Sequence, residues 1–200
     1  MRVILVGGTG TIGREVARAL GTHHEVLIAA RSGAELQVDI VEPASVEAMF
    51  KGAGSFDAVV STAGSARFGP LDDLGYDDFL FSCRNKLMGQ VNLVRIGRNY
   101  INDNGSFTLT SGVLAREPMP GSSAVSMVNA GLEGFARAAQ LELERGVRVN
   151  VVSPVWVQET LLAMGRSTAE GMPASLVARA YVASVTGDMK GAVLDVNDYV

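Results

Sequence analysis

The feature that most constrains this chain is its opening. An apolar run at residues 3–6 (VILV) leads straight into GGTGTIG at residues 7–13, and an amphipathic stretch follows. A strand that ends in glycines and restarts as a helix aims the first free helical N–H groups, and the positive end of the helix dipole, beyond the strand. Glycine also permits positive φ and close backbone approach, so such a turn suits the pyrophosphate of a dinucleotide. Here Gly7, Gly10 and Gly13 are spaced G-x-x-G-x-x-G, not G-x-G-x-x-G. Gly7, Thr9, Gly10, Thr11, Ile12 and Gly13 are expected to hold a cofactor's phosphates, the alternative being a tight turn with no ligand.

Short β-rich runs alternate with amphipathic stretches to the end of the chain. Strands are expected at residues 3–6, 25–29, 36–40, 57–61, 106–109, 148–152 and 191–196, and helices after the glycines and at 45–50, 79–98, 123–144 and 174–185. In the stretch 79–98, Leu87, Val91 and Val94 form one apolar stripe; in 123–144, Val125, Val128, Leu132, Phe135, Ala139 and Leu143 form another. Alternation of this kind predicts a Rossmann-type doubly wound parallel sheet, a three-layer α/β/α arrangement in a single domain over residues 1–200.

Composition narrows the partners. The chain is 48% apolar and 19% charged with a net charge of −4, which argues against nucleic acid or an anionic membrane as its partner. No apolar run approaches the roughly 18 residues of a membrane span, and the opening run is too short for a secretory signal. Cys83 is the only cysteine, which fits a reducing compartment, so a cytoplasmic location is expected. His23 and His24 have no companion cysteines or carboxylates in a ligand pattern, and no metal site is expected.

The residues ending the second strand choose between the two nicotinamide cofactors. NAD binders place a carboxylate there for the ribose hydroxyls, and NADP binders place a cation for the 2′-phosphate. This chain reads Ile28-Ala29-Ala30-Arg31-Ser32. Arg31 offers a guanidinium fork and Ser32 a hydroxyl, so NADP is expected over NAD.

These motifs together resemble the short-chain dehydrogenase/reductase family along nearly the whole chain. The turn at residues 7–13 resembles the family's glycine turn, and Val38-Asp39-Ile40 the segment whose Asp contacts adenine. Ser61-Thr62-Ala63-Gly64 resembles the Asn-Asn-Ala-Gly motif with both asparagines replaced. Thr110-Ser111 resembles the strand-end pair that carries the catalytic serine. Residues 148–154 (RVNVVSP) resemble the sixth strand and its Pro-Gly turn, with Val155 in place of the glycine. The resemblance implies cofactor contacts at Asp39, Ile40, Ala63, Gly64, Asn129 and Pro154. It also implies a homodimer or homotetramer paired through the two long helices, where Gly131, Gly134, Ala138 and Ala139 permit close approach. Residues 157–172, following Trp156, correspond to the family's substrate lid, or else form a surface helix without a ligand role.

Two departures stand out. Only RSGAELQ separates the second and third strands, too little for the usual crossover helix. The family's Tyr-x-x-x-Lys is also missing. Aligning NAGLEG at 129–134 with the family's Lys-Ala-Ala-Leu-x-Gly puts Val125 at the tyrosine position and Asn129 at the lysine position. The three lysines, Lys51, Lys86 and Lys190, are preceded four residues earlier by Glu47, Ser82 and Thr186, so no shift of alignment restores the motif. The family's tyrosine protonates the forming alkoxide and its lysine lowers the tyrosine pKa and holds the nicotinamide ribose. Valine does neither, and Asn129 offers only an uncharged hydrogen bond.

Lys86 takes the place of the family's helix asparagine in its Asn-x-x-Gly motif, unless a shift of one residue makes Asn85 the counterpart. Ser111 and Lys86 are therefore the catalytic candidates. Ser111 either orients a substrate oxygen or is a buried structural serine, and Lys86 either refills the vacated cationic position or points to solvent. The expected function is an NADP-dependent oxidoreductase acting on a carbonyl or alcohol small molecule through a non-standard site. The alternative is a catalytically silent NADP(H) sensor or scaffold.

Overall fold

In the computed structural model, which describes residues 1–200, strand β1 (Arg2–Val6) is buried on both faces from Val3 onward. A strand with no polar face has to lie inside a sheet covered on both sides, and the topology obeys this. Strands β2 (Glu25–Ala30), β3 (Leu36–Gln37), β4 (Ala58–Ser61), β5 (Ser106–Thr110), β6 (Arg148–Ser153) and β7 (Val193–Asp195) join β1 in one seven-stranded sheet. The order is β3-β2-β1-β4-β5-β6-β7, and every pairing is parallel. The order reverses direction beside β1, where open parallel sheets leave a crevice at the carboxyl ends of their strands.

Alternation along the strands divides the core in two. Ile4, Val6, Val59, Phe107 and Leu109 face helices α2 (Pro43–Ala53), α4 (Gly89–Gly97) and α5 (Ser123–Gln140), meeting Phe50, Leu93 and Leu132. Val3, Leu5 and Val60 face α1 (Thr11–Leu20) and α7 (Ala174–Thr186), meeting Val16, Leu20, Val177 and Tyr181. On the first side Phe50 stacks on Phe56 at 5.2 Å and on Tyr100 at 6.0 Å, geometry worth about 0.5–1.5 kcal/mol per pair beyond burial.

The elements depart from the sequence expectation in three places. First, β3 stops at Gln37: the Val38 amide still donates to Ala30 O at 2.9 Å, but Asp39 Oδ1 then accepts from Val41 N at 3.0 Å and turns the chain into α2. A local Asx turn outcompetes further pairing at this edge. Second, the helix expected over 79–98 is composite: α3 (Tyr76–Ser82), a π-helical segment (Cys83–Met88) and α4. Third, α5 ends at Gln140, not at 144, because Gln140 turns to the next strand. Its Oε1 accepts from Val149 N at 2.8 Å and its Nε2 donates to Val147 O at 3.2 Å. The short link between β2 and β3 carries no helix, as its length requires. A small helix, α6 (Gln158–Ala163), lies in the segment after β6.

Candidate functional site

At the reversal point a cleft of about 360 Å³ opens between the ends of β1, β2 and β4. The glycine turn forms its floor. Gly7 sits at φ +85°, and a Cβ there would come within 2.9 Å of Ala63 N. A Cβ on Gly13 would overlap the Gly7 carbonyl oxygen, so the helix can start this close to the strand only with glycine at 13. Gly10 caps α1 from an extended conformation without any side-chain cap, and its own amide donates to Gly7 O at 3.0 Å. The amides of Thr11, Ile12 and Gly13 belong to the helical turn that lacks intrahelical acceptors, so they are free for an anion.

Of the residues expected to contact a cofactor, Gly7, Thr9 and Gly10 line one wall of the cleft. Arg31, Ser32, Asp39 and Ile40 line the second, and Ala63 and Gly64 the third. Thr11, Ile12 and Gly13, at the start of α1, lie outside this lining, as do Asn129 on α5 and Pro154 after β6. Thr62 and Asn85 join the lining. Thr62 Oγ1 donates to Gly7 O at 3.1 Å and so ties the two glycine-bearing loops together. Asn85 and Lys86, the two candidates for the helix position, both belong to the π-helical segment. The structure separates them: Asn85 borders the cleft, with its Nδ2 on Phe81 O at 3.1 Å, and Lys86 reaches behind it.

At the end of β2, Arg31 and Ser32 are exposed, and the Arg31 guanidinium forms no ion pair with the protein. Glu35 is the nearby carboxylate in sequence, but its Oε2 accepts from Ile28 N at 3.3 Å, back along the strand edge and away from the strand terminus.

The terminus of β5 decides what the deeper part of the site can do. Successive residues of a strand point to opposite faces. Thr110 turns toward α7, its Oγ1 lying 2.7 Å from the Tyr181 hydroxyl and donating to Ser61 O at 2.6 Å. Ser111 therefore turns toward α5, where its Oγ donates to Glu133 Oε1 at 3.1 Å. Both Ser111 and Glu133 are buried, at 3% and 6% exposure. Of the two roles open to Ser111, this contact favours the buried structural serine, because the hydroxyl donates to a buried acidic side chain. The following residue faces Asn129, but it is Gly112 and carries no side chain; a Cβ there would lie 3.0 Å from Asn129 Nδ2. Val125 is half-buried one turn before Asn129 on α5. Glu133 and Gln90 were not singled out from sequence. The available signal was a polar residue on an otherwise apolar helix stripe, which alone does not distinguish a buried group from a solvated one.

Lys86 Nζ donates to Ser111 O at 2.9 Å and has no carboxylate partner. Burial of the ammonium pushes its pKa down to about 8. Burial likewise raises that of the Tyr181 phenol, which stays protonated in the core.

An unfolded lysine titrates near 10.4. Between about pH 8 and pH 10 the unfolded chain therefore holds a proton that folded Lys86 has released, and this residue's contribution to stability rises with pH. Lys86→Met removes that contribution. The melting temperature of the variant minus that of the native chain is expected to be most positive at pH 7 and to fall steadily toward pH 10. A difference that does not change with pH would mean that the ammonium is solvated.

No helix is long and apolar enough to cross a membrane, and no group of His, Cys, Asp or Glu is arranged to hold a metal ion. The family profile described as enoyl-(acyl carrier protein) reductase matches residues 11–192. The crystal structure of the protein lin1944 from Listeria innocua is similar with a TM-score of 0.94 at 36% identity, over 98% of this chain and 98% of that one. A small-chain dehydrogenase crystallised in complex with NADPH is similar with a TM-score of 0.85 at 29% identity, over 98% of this chain and 95% of that one. Hydroxynaphthalene reductase arp2 of Aspergillus fumigatus is 26% identical over 136 residues, which are 66% of this chain and 50% of that protein; the chain spans about half the length of this curated relative. With the profile covering most of its length and the parallel Rossmann-type sheet in place, the chain belongs to the short-chain dehydrogenase/reductase family of oxidoreductases.

Proposed function

We propose that this chain binds NADP(H) in the cleft and acts as an oxidoreductase on a carbonyl or alcohol, with a proton donor other than the family's tyrosine. The observation that carries the cofactor choice is the open end of β2. Arg31 and Ser32 stand free at the cleft wall while the Glu35 carboxylate is engaged by Ile28 N. The NADPH held by the similar small-chain dehydrogenase supports the same reading. The residues fit the group on independent grounds: the cradle at Gly13 has no room for a Cβ, and Asn129 Oδ1 is a buried acceptor without a donor.

In this reading the amides at the start of α1, with Gly7, Thr9 and Gly10, hold the pyrophosphate. Arg31 and Ser32 hold the 2′-phosphate, Asp39 and Ile40 the adenine, Ala63 and Gly64 the ribose wall, and Asn129 and Pro154 the nicotinamide end. When bound, the nicotinamide supplies or accepts hydride. The chain's own task is to manage a proton. Val125 holds none, and the Ser111 hydroxyl is committed to Glu133, so Lys86 is the group behind the cleft that carries a transferable proton. Positioned acids typically contribute about 10²–10⁴ in rate, so turnover is expected to be slow beside that of an enzyme with the tyrosine in place.

The buried Ser111–Glu133 contact also favours a second reading, a catalytically silent NADP(H) sensor. Turnover of simple carbonyls with NADPH separates the two. An oxidoreductase shows slow turnover that Lys86→Met abolishes, and a sensor binds cofactor with no turnover in either form.

Pairing into a homodimer or higher oligomer is part of the proposal. Gly131 does not serve it, because it packs within the chain against Leu87. The free face of α5 instead presents Met127, Ala130, Gly134 and Ala138, and Leu141, just past its end, is 88% exposed. Leu80 and Met88 are exposed on the neighbouring helix. Light scattering at micromolar concentration is expected to give at least twice the monomer mass; a monomer would remove this part of the proposal.

For the cofactor, calorimetric titration is expected to show NADP binding more tightly than NAD. Arg31→Ala should cost NADP about tenfold or more, the worth of a charge-assisted contact, and leave NAD nearly unchanged. Equal affinities for the two cofactors in the native chain would refute the assignment.

A further inference from the structure

The sheet is parallel, so the connections that leave β4, β5 and β6 start at one carboxyl edge, the edge at which the cleft opens. They span residues 62–75, 111–122 and 154–173, and each is stitched to the next. Gly69 N donates to Gly121 O at 2.9 Å, and the Phe68 ring lies so close over Gly121 that a Cβ there would meet it at 2.9 Å. Val113 N donates to Pro154 O at 2.8 Å. The third connection is closed at its base, where Met172 N donates to Trp156 O at 2.8 Å and Gln158 N to Met172 O at 3.0 Å. The middle one begins at Ser111, whose carbonyl holds the Lys86 ammonium.

These connections expose large apolar side chains. Phe68 is 50% exposed, Leu71 67%, Met119 36%, Leu162 70% and Met164 55%. Leu161 is buried and anchors the third connection, while Leu162 and Met164 after it stay outside the core. Single exposed apolar residues need no explanation, but several on stitched connections at one sheet edge mark a contact site. The charges beside them are unsuited to an anion. Each connection carries one cation, and all three are engaged within the chain. Arg67 lies 3.4 Å from Asp78 and 4.1 Å above the Phe81 ring, and Arg116 lies 2.9 Å from Asp195. Arg166 sits 5.0 Å above the Trp156 ring. The carboxylates Asp72, Asp73, Glu117 and Glu170 are exposed on the same connections and repel an anion further.

We propose that this rim receives the apolar body of an uncharged carbonyl or alcohol, with Phe68, Met119 and Leu162 as its main contacts. The inference rests on the oxidoreductase reading above and names its substrate class. Transfer of methylenes out of water is non-directional and grows with the apolar area covered, so the rim selects for the length of that body. An unbranched methionine beside an aromatic ring adapts to bodies of differing shape.

Trp156 is the only tryptophan and lies in the third connection, so its fluorescence reports on the rim. The test titrates the full chain, saturated with NADP+, with 2-butanone, 2-hexanone and 2-octanone, reading Trp156 fluorescence with calorimetry as the second measure. Two charged counterparts, 2-oxooctanoate and 1-amino-2-octanone, complete the series. Affinity is expected to rise about two- to fourfold per added methylene, and 2-octanone to bind about tenfold or more tightly than either charged counterpart. Phe68→Ser, Met119→Ser and Leu162→Ser are each expected to weaken 2-octanone by about fivefold or more and to leave 2-butanone within about twofold. Unchanged NADP+ affinity checks that each variant folds, and where one does not, the other two decide. No dependence on chain length, tighter binding of a charged counterpart, or variants that weaken short and long ketones alike would overturn the substrate class. A chain that binds NADP+ and no ketone overturns it while keeping the cofactor reading. A chain that binds ketones by length but not NADP+ keeps the rim and overturns the cofactor reading, and one that binds neither overturns both.

Discussion

Everything at the working end of this protein depends on how closely backbone can approach backbone in the turn after β1. Gly7 lies against Ala63 N and the Thr62 carbonyl carbon, and Gly13 lies against the Gly7 carbonyl. A methyl group at Gly13 would push α1 away from the strand that feeds it, and one at Gly7 would press on the loop after β4. With no side chains in the way, the start of α1 rests at the carboxyl edge of the sheet, and its unpaired amides border the cleft. Thr62 Oγ1 then bridges to Gly7 O and fixes the β4 loop against the turn. The cleft is thus a consequence of missing Cβ atoms and not of a separate binding element.

The second constraint is the end of β5. A strand that stops inside the protein leaves carbonyls that need donors, because a buried polar group without a partner is costly. Gln90, Lys86 and Asn129 supply them. This explains how a lysine is tolerated in so dry a place: its stem lies against Gly64 and its head has a carbonyl to serve. It also explains the low Lys86 pKa, since a neutral carbonyl compensates the buried charge only in part.

Much of the fold was legible along the chain, and so was the lining of the cleft. The strands were recoverable because fully buried parallel strands are continuous apolar runs, and β1 and β4 are such runs. Boundaries failed where a side chain competed with the backbone: Asp39 ended β3 early, and Gln140 ended α5 early by reaching for Val147 and Val149. Gly7, Gly10, Arg31 and Asp39 were identifiable as cleft residues because the cleft lies at the strand ends. The role of Ser111 stayed open because residue type does not state direction, and one step along a strand reverses the face.

The sequence by itself determined the layer architecture, the glycine turn and the loss of the Tyr-x-x-x-Lys pair, since each is a matter of which residue types stand at which spacing. Only the tertiary structure decided where the remaining polar groups aim. It turned Ser111 to Glu133, placed Asn85 on the cleft and Lys86 behind it, and left Asn129 Oδ1 without a donor. Those outcomes join β5, the π-helical segment and α5, which are distant along the chain. Hydrogen-bond partners across such separations are chosen by packing, and periodicity within any one element carries no record of them.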